Sequence, residues 1–326
     1  MILSRRRLLH LAACAAALPA LSRITFAQAY PTRPVRIIVG FGPGSPADIL
    51  ARLVGQWLAE RLAQPFIVEN RPGAGGNLAT ELVVRAPPDG YTLVLAALSD
   101  AVNVTLYDKL AFNFIRDIAP IASLIRQPEI MVVNPSLPTK TIPEFIAYAK
   151  ANPGKINMGS AGNGTAPHLA GELFKMMAGV DMIHVPYRGG GGAAVTDLLG
   201  GQVQILFISP LVSIEHVKAG ALRALGVTTA FRWEALPNIP AVGEFVPGYE
   251  MSAWFGVGAP KNTPSETVHK LNREINVALA DVNMRTKIAN LGAMPFVGSP
   301  IDFGKLIADD ADRWARVIRT TNIKAE

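Results

Sequence analysis

The chain has 326 residues, 50% of them hydrophobic, with one cysteine and a formal charge of +6. Four of its 31 basic residues lie in the first 29 positions and would leave with a leader, so 27 basic face 25 acidic residues in the rest and the balance falls to +2. That near-neutrality, with no basic stripe interleaved with aromatics, excludes a nucleic-acid partner, and the lone Cys14 excludes disulfides and thiolate metal ligands.

Ser4-Arg5-Arg6-Arg7-Leu8-Leu9 is a twin-arginine pattern, the apolar run from Leu8 to Leu21 is too short to span a bilayer, and Ala27-Gln28-Ala29 fits a small-residue cleavage site. Residues 1–29 therefore read as a signal peptide of the twin-arginine type, cleaved near Ala29, with the mature chain in the periplasm. Leu11-Ala12-Ala13-Cys14 offers a lipoprotein site instead, although only six residues separate Cys14 from Arg7 to form a signal core. Residues 30–326 exceed a typical single-core domain and suggest two lobes, and no 18-residue apolar span follows the leader.

Short β-branched runs then alternate with helical patterns, which predicts an α/β fold layered around parallel sheets. Strands are expected at 35–40, 66–69, 92–97, 130–134, 156–160, 183–186, 203–208, 224–227 and 253–258. Helices are expected notably at 46–63, 143–151, 166–178, 193–199, 212–219, 265–280 and 301–320. No long flexible linker separates two halves, so the lobes should be joined by strands crossing near 126–133 and 250–258.

The first strand runs into Phe41-Gly42-Pro43-Gly44-Ser45 and directly into a helix. Glycines there allow close backbone approach, and the helix offers unpaired N–H groups at the positive end of its dipole, which together make an anion cradle. Ser45-Pro46-Ala47-Asp48 also fits a capping box with Asp48 reaching back, so Asp48 reads as structural. A second such turn, Ser160-Ala161-Gly162-Asn163-Gly164-Thr165, leads into a helix carrying His168 in its first turn, where the dipole disfavours the imidazolium and predicts a neutral hydrogen-bonding ring. Tyr187 and Arg188 precede Gly189 to Gly192 in a third pliable turn, and Arg71 to Asn77 form a loop shaping the rim. Two glycine turns in an exported chain predict capture of a small anion.

Catalytic templates are missing. There is no G-x-S-x-G elbow, no P-loop and no complete G-x-G-x-x-G, and His168, His184, His216 and His269 never fall at i, i+4 spacing. No enzyme activity, cofactor or metal is expected.

With these residues in view the chain resembles the Bug family, the substrate-binding receptors of tripartite tricarboxylate transporters. The resemblance spans the mature chain: Pro34-Val35-Arg36-Ile37-Ile38-Val39, Asp48-x-x-Ala51-Arg52, Val68-Glu69-Asn70-Arg71-Pro72-Gly73-Ala74-Gly75-Gly76, Pro88-Asp89-Gly90-Tyr91-Thr92-Leu93, Val185-Pro186-Tyr187-Arg188-Gly189, Asp197-Leu198-Leu199-Gly200-Gly201-Gln202-Val203 and Ala219-Gly220-x-Leu222-Arg223-Ala224-Leu225. It implies a two-lobed type II periplasmic-binding-protein fold, with residues 30–124 and 251–326 in lobe 1, residues 125–250 in lobe 2 and the ligand cleft between them.

In this family the carboxylate is held chiefly by backbone and small side chains of the two glycine turns. The ligand set expected here is Phe41, Gly42, Gly44, Ser45, Ser99, Ser160, Gly162, Asn163, Thr165, His168, Tyr187 and Ser209. Ser45-Pro46 replaces a frequent glycine, and Ser209 stands where many members carry an acidic or amide residue. That favours a simple carboxylate over an amino acid, with Asp100 as a substitute partner for an amine. The implied protein is a monomer that passes a small organic carboxylate to membrane permease subunits; the alternatives are an orphan or sensory carboxylate receptor and, further off, an α/β enzyme.

Overall fold

The computed structural model describes residues 30–107, 109–187, 190–234, 236–321 and 323–325. The signal-peptide reading of residues 1–29 and the expectations for Arg188 and Gly189 lie outside the described residues.

From Arg33 onward the chain builds two lobes, each on one mixed sheet. The first sheet contains β1 (Val35–Val39), β2 (Phe66–Asn70), β3 (Thr92–Ala97), β4 (Ile118–Gln127), β10 (Ala253–Pro260) and β11 (Met294–Pro295), in the order β11-β4-β10-β3-β1-β2. The second contains β5 (Ile130–Val133), β6 (Asn157–Ser160), β7 (Ile183–Pro186), β8 (Ile205–Ile208) and β9 (Arg223–Val227), in the order β7-β6-β8-β5-β9.

Neither sheet is wholly parallel, which corrects the expectation. Strands β1, β2 and β3 are parallel, as are β6, β7 and β8, whereas β10 runs antiparallel to β3 and β4, and β5 antiparallel to β8 and β9. Apart from the two-residue edge strand β11, which pairs antiparallel with β4, the strands that break the parallel sense are those through which the chain enters each lobe from the other: β4 hands over to β5 across two residues, and β10 returns after β9. A strand entering from the other lobe arrives from the opposite end of the sheet from one fed by a local strand–helix crossover, so it pairs in the opposite sense.

The helices are α1 (Pro46–Leu62), α2 (Asn77–Val84), α3 (Leu98–Leu106), α4 (Phe114–Asp117), α5 (Ile142–Ala151), α6 (Ala166–Ala178), α7 (Gly191–Leu199), α8 (Pro210–Lys218), α9 (Ser265–Ala280), α10 (Val282–Asn290) and α11 (Pro300–Thr321). The two strands that receive the chain from the other lobe, β5 and β10, are buried throughout. On α11 the buried residues Phe303, Ile307, Ala311, Trp314, Ala315 and Ile318 recur at helical spacing, and Phe303 meets Trp254 of β10 edge-on, with ring centroids 5.4 Å apart. That helix thus fixes the returning strand in place.

Candidate functional site

The first turn is braced before any ligand arrives. Gly40 is obligatory, since a Cβ there would lie 2.7 Å from the Gly76 backbone in the rim loop. Ser45 caps α1 by accepting from the Asp48 amide at 3.3 Å, with Pro46 at the first helical position. Asp48 does not complete a capping box. Its Oδ2 instead accepts from the Gly44 amide at 2.9 Å, while Arg52 grips both carboxylate oxygens and Asn70 Nδ2 donates to Oδ1 and to the Phe41 carbonyl, each at 2.9 Å. Burial works to raise the Asp48 carboxyl, but Arg52, the Gly44 amide and Asn70 together hold it below its ordinary range. Asp48, Arg52 and Asn70 therefore set the shape of the turn from behind it.

The second turn is anchored differently. Ser160 Oγ accepts from the Gly162 amide at 3.1 Å and lies 2.6 Å from His184 Nε2. His168 Nδ1 accepts from the Gly164 amide at 3.1 Å, and its ring stacks on His184 with centroids 3.8 Å apart. Burial, then His184 and Lys175, press the His168 pKa down to about 2. Glu172 Oε1 stands 4.0 Å from His168 Nε2, but it is paired with Lys175 at 2.9 Å, so the imidazole stays neutral. Thr165, at the N-cap of α6, turns its hydroxyl to the Gly162 carbonyl at 2.6 Å, and no side chain caps the helix. Among the described residues, the first-turn amides of Ala166 and His168 have no protein acceptor.

Both turns line one cavity of about 910 Å³. Of the expected ligand set, Phe41, Gly42, Gly44, Ser45, Ser99, Gly162, Asn163, Thr165 and Ser209 line it. Ser160, His168 and Tyr187 do not: Ser160 and His168 hold the second turn from within, and Tyr187 donates its hydroxyl to Asp197 at 2.7 Å. Burial and then Asp197 raise the Tyr187 phenol to about 12, so it remains a neutral donor. Ser99 Oγ is buried without a partner on the cavity wall, and Ser209 Oγ accepts from Gln127 Nε2 at 3.0 Å.

Asp100 is not the acidic partner the sequence suggested. It does not line the cavity; it accepts from the Thr80 hydroxyl at 2.7 Å and from the Ala97 amide at 2.8 Å at the start of α3. Burial raises its carboxyl to about 6 against those two donors. The acidic residue on the wall is Glu129, in the link between β4 and β5, accompanied by Gln127, Trp254 and Phe255 from the crossing strands and Tyr107 beyond α3. Sequence reading missed all five. A glutamate directly before the apolar run Ile130 to Val133, at an expected crossing, was the available signal for Glu129. Among the described residues no lysine, arginine or histidine lines the cavity, so an anion entering it meets amides and hydroxyls. Across the cleft the second turn packs close to the first lobe, where a Cβ at Gly164 would fall 2.6 Å from Leu106 Cδ2 of α3.

Residues 50–323 match the tripartite tricarboxylate transporter family receptor. Protein BugT of Bordetella pertussis is 36% identical over 301 residues, covering 91% of this chain and 92% of that protein. An R. palustris protein solved with adipate superposes with a TM-score of 0.86 at 36% identity, covering 90% of this chain and 99% of that one. MatC of Rhodopseudomonas palustris, solved with bound malate, gives a TM-score of 0.82 at 32% identity over 89% of this chain and 100% of that one. The chain belongs to the tripartite tricarboxylate transporter receptor family, which comprises solute-binding proteins and not enzymes.

Proposed function

We propose that this protein is a periplasmic receptor that closes on a small organic carboxylate and presents it to the permease subunits of a tripartite tricarboxylate-type transporter. The observation that carries this reading is the pair of strand-to-helix turns on one cavity without a cationic side chain among the described residues. Such a site suits an anion that hydrogen-bonds to main chain and hydroxyls. In this reading Phe41 to Ser45 and Gly162 to Thr165 hold the carboxylate, Ser99 and Ser209 contact the rest of the ligand, and Ser160, His168 and Tyr187 act by shaping the turns. Residues 30–124 with 251–326 form one moving lobe and 125–250 the other. The protein works as a monomer, exported by a twin-arginine leader cut near Ala29.

A few charge-assisted hydrogen bonds of roughly 1.5–3 kcal/mol each, offset by lost motion, suffice for the −8 kcal/mol or so of a micromolar ligand. A thermal-shift screen over mono-, di- and tricarboxylates tests the reading. A bound ligand at a hundredfold excess over Kd stabilises by about 2.7 kcal/mol. No shift from any carboxylate, in protein free of co-purified ligand, would refute it.

A further inference from the structure

Glu129 is the one acidic side chain lining the cavity among the described residues. It is 1% exposed, and its Oε2 is buried with no hydrogen-bond partner. Native structures avoid a buried carboxyl that has neither cation nor donor, so a group left in this condition on a binding wall calls for a partner from outside the chain. Its backbone is clamped to Thr228: the Glu129 amide donates to Thr228 Oγ1 at 2.8 Å, and its carbonyl accepts from the Thr228 amide at 3.0 Å.

The ionisable groups on the elements packed around it do not compensate it. Tyr249, just before β10, interacts with the Glu129 charge but directs its hydroxyl to the Ala170 carbonyl at 2.9 Å. Arg313 of α11 acts on Tyr249 and donates to the Glu250 carbonyl. Asp310, influenced by Arg313 and Arg126, accepts from Trp254 Nε1 at 2.7 Å. Burial alone therefore pushes the Glu129 carboxyl up to about 8, and below that pH the side chain is an O–H donor.

We propose that Glu129 is a neutral carboxylic acid that donates a hydrogen bond to an acceptor oxygen of the ligand other than the carboxylate held by the glycine turns, so that the receptor takes acids with a second acceptor and binds them with its proton in place. This deepens the function proposed above and rests on it. An amine-bearing ligand would demand the opposite, an ionised Glu129.

The test combines isothermal titration with adipate at pH 7 and pH 9 with the infrared carboxylic-acid band of the ligand-free protein. The wild type should bind about tenfold more weakly at pH 9, the factor for one proton with a midpoint near 8. Glu129→Gln keeps a neutral donor, so it should match the wild type at pH 7 and bind more tightly than it at pH 9. Glu129→Ala should be weaker than Glu129→Gln at both. The wild-type acid band at pH 7 should be absent from Glu129→Gln. Adipate affinity that is independent of pH, or that rises with pH, overturns the role of Glu129 alone, as does a missing acid band. A protein that shows the band yet binds no carboxylate overturns this inference and the receptor reading together.

Discussion

In the first turn Ser45 caps α1 and Asp48 takes up the Gly44 amide, whereas in the second Thr165 gives its hydroxyl to the Gly162 carbonyl and leaves α6 uncapped. Two segments that read alike in sequence thus divide the work. A helix N-terminus capped by a side chain has fewer amides to offer an anion than an uncapped one, whose open amides add direct hydrogen bonds beyond the dipole. The first turn is a preformed wall and the second is the donor-rich one. Substitutions should separate the two roles.

The largest effect is expected at Gly162. Its φ of +117° is strained for any side chain, yet a Cβ would meet nothing closer than 4.0 Å, so the fold should tolerate what the ligand cannot. Gly162→Val should weaken carboxylate binding at least a hundredfold, by about 2.7 kcal/mol, with an unchanged circular dichroism spectrum. Near-normal binding by this variant would return the principal role to the first turn.

Asp48→Ala should act next, through the wall. It removes the acceptor shared by Gly44, Arg52 and Asn70, for an expected loss of about 2–3 kcal/mol in urea unfolding and roughly tenfold in affinity. Because the folded carboxyl is held below its unfolded value, its contribution is present above the unfolded pKa and is lost as pH falls through the folded one. Asn70→Ala in the same background should add little, since both side chains serve one network.

Much of this architecture was legible in the sequence. The turns showed themselves because glycine, proline and a capping residue between a β-branched run and an amphipathic helix have few other uses. What stayed hidden had weak local signals. Strand β4 carries Pro120, Ser123 and Arg126, which break the apolar run that marks a buried strand, and only its pairing with β10 makes it regular. Helix α3 follows Ala97 without glycine or proline, so no helix was expected there, although Ser99 itself stood in the expected ligand set. The distinction between the two caps was also invisible: Ser45 and Thr165 both precede a helix, and which carbonyl or amide a hydroxyl selects is decided by tertiary packing.

His168 supplies a smaller, graded effect on the second turn. Its folded pKa lies far below that of the unfolded chain, so its contribution is complete above about pH 6.5 and is lost on acidification, by about 1.4 kcal/mol per pH unit below that. Urea unfolding of His168→Gln, whose amide oxygen can still accept from Gly164, should show a shallower decline between pH 6 and pH 4 than the wild type. The smallest effect belongs to Ser45→Ala, which should cost about 1 kcal/mol of stability through the lost cap and change affinity only a few-fold. A collapse of binding in that variant would make the Ser45 hydroxyl a principal ligand contact.

The division of labour is tested most directly by the backbone amide resonances of the isotopically labelled protein titrated with adipate. Saturation should move the amides of Asn163 and Ala166, which line the cavity, strongly downfield, while the Gly44 amide, already bound to Asp48, moves little. Binding that shifts Gly44 and leaves Asn163 and Ala166 unmoved would contradict that division.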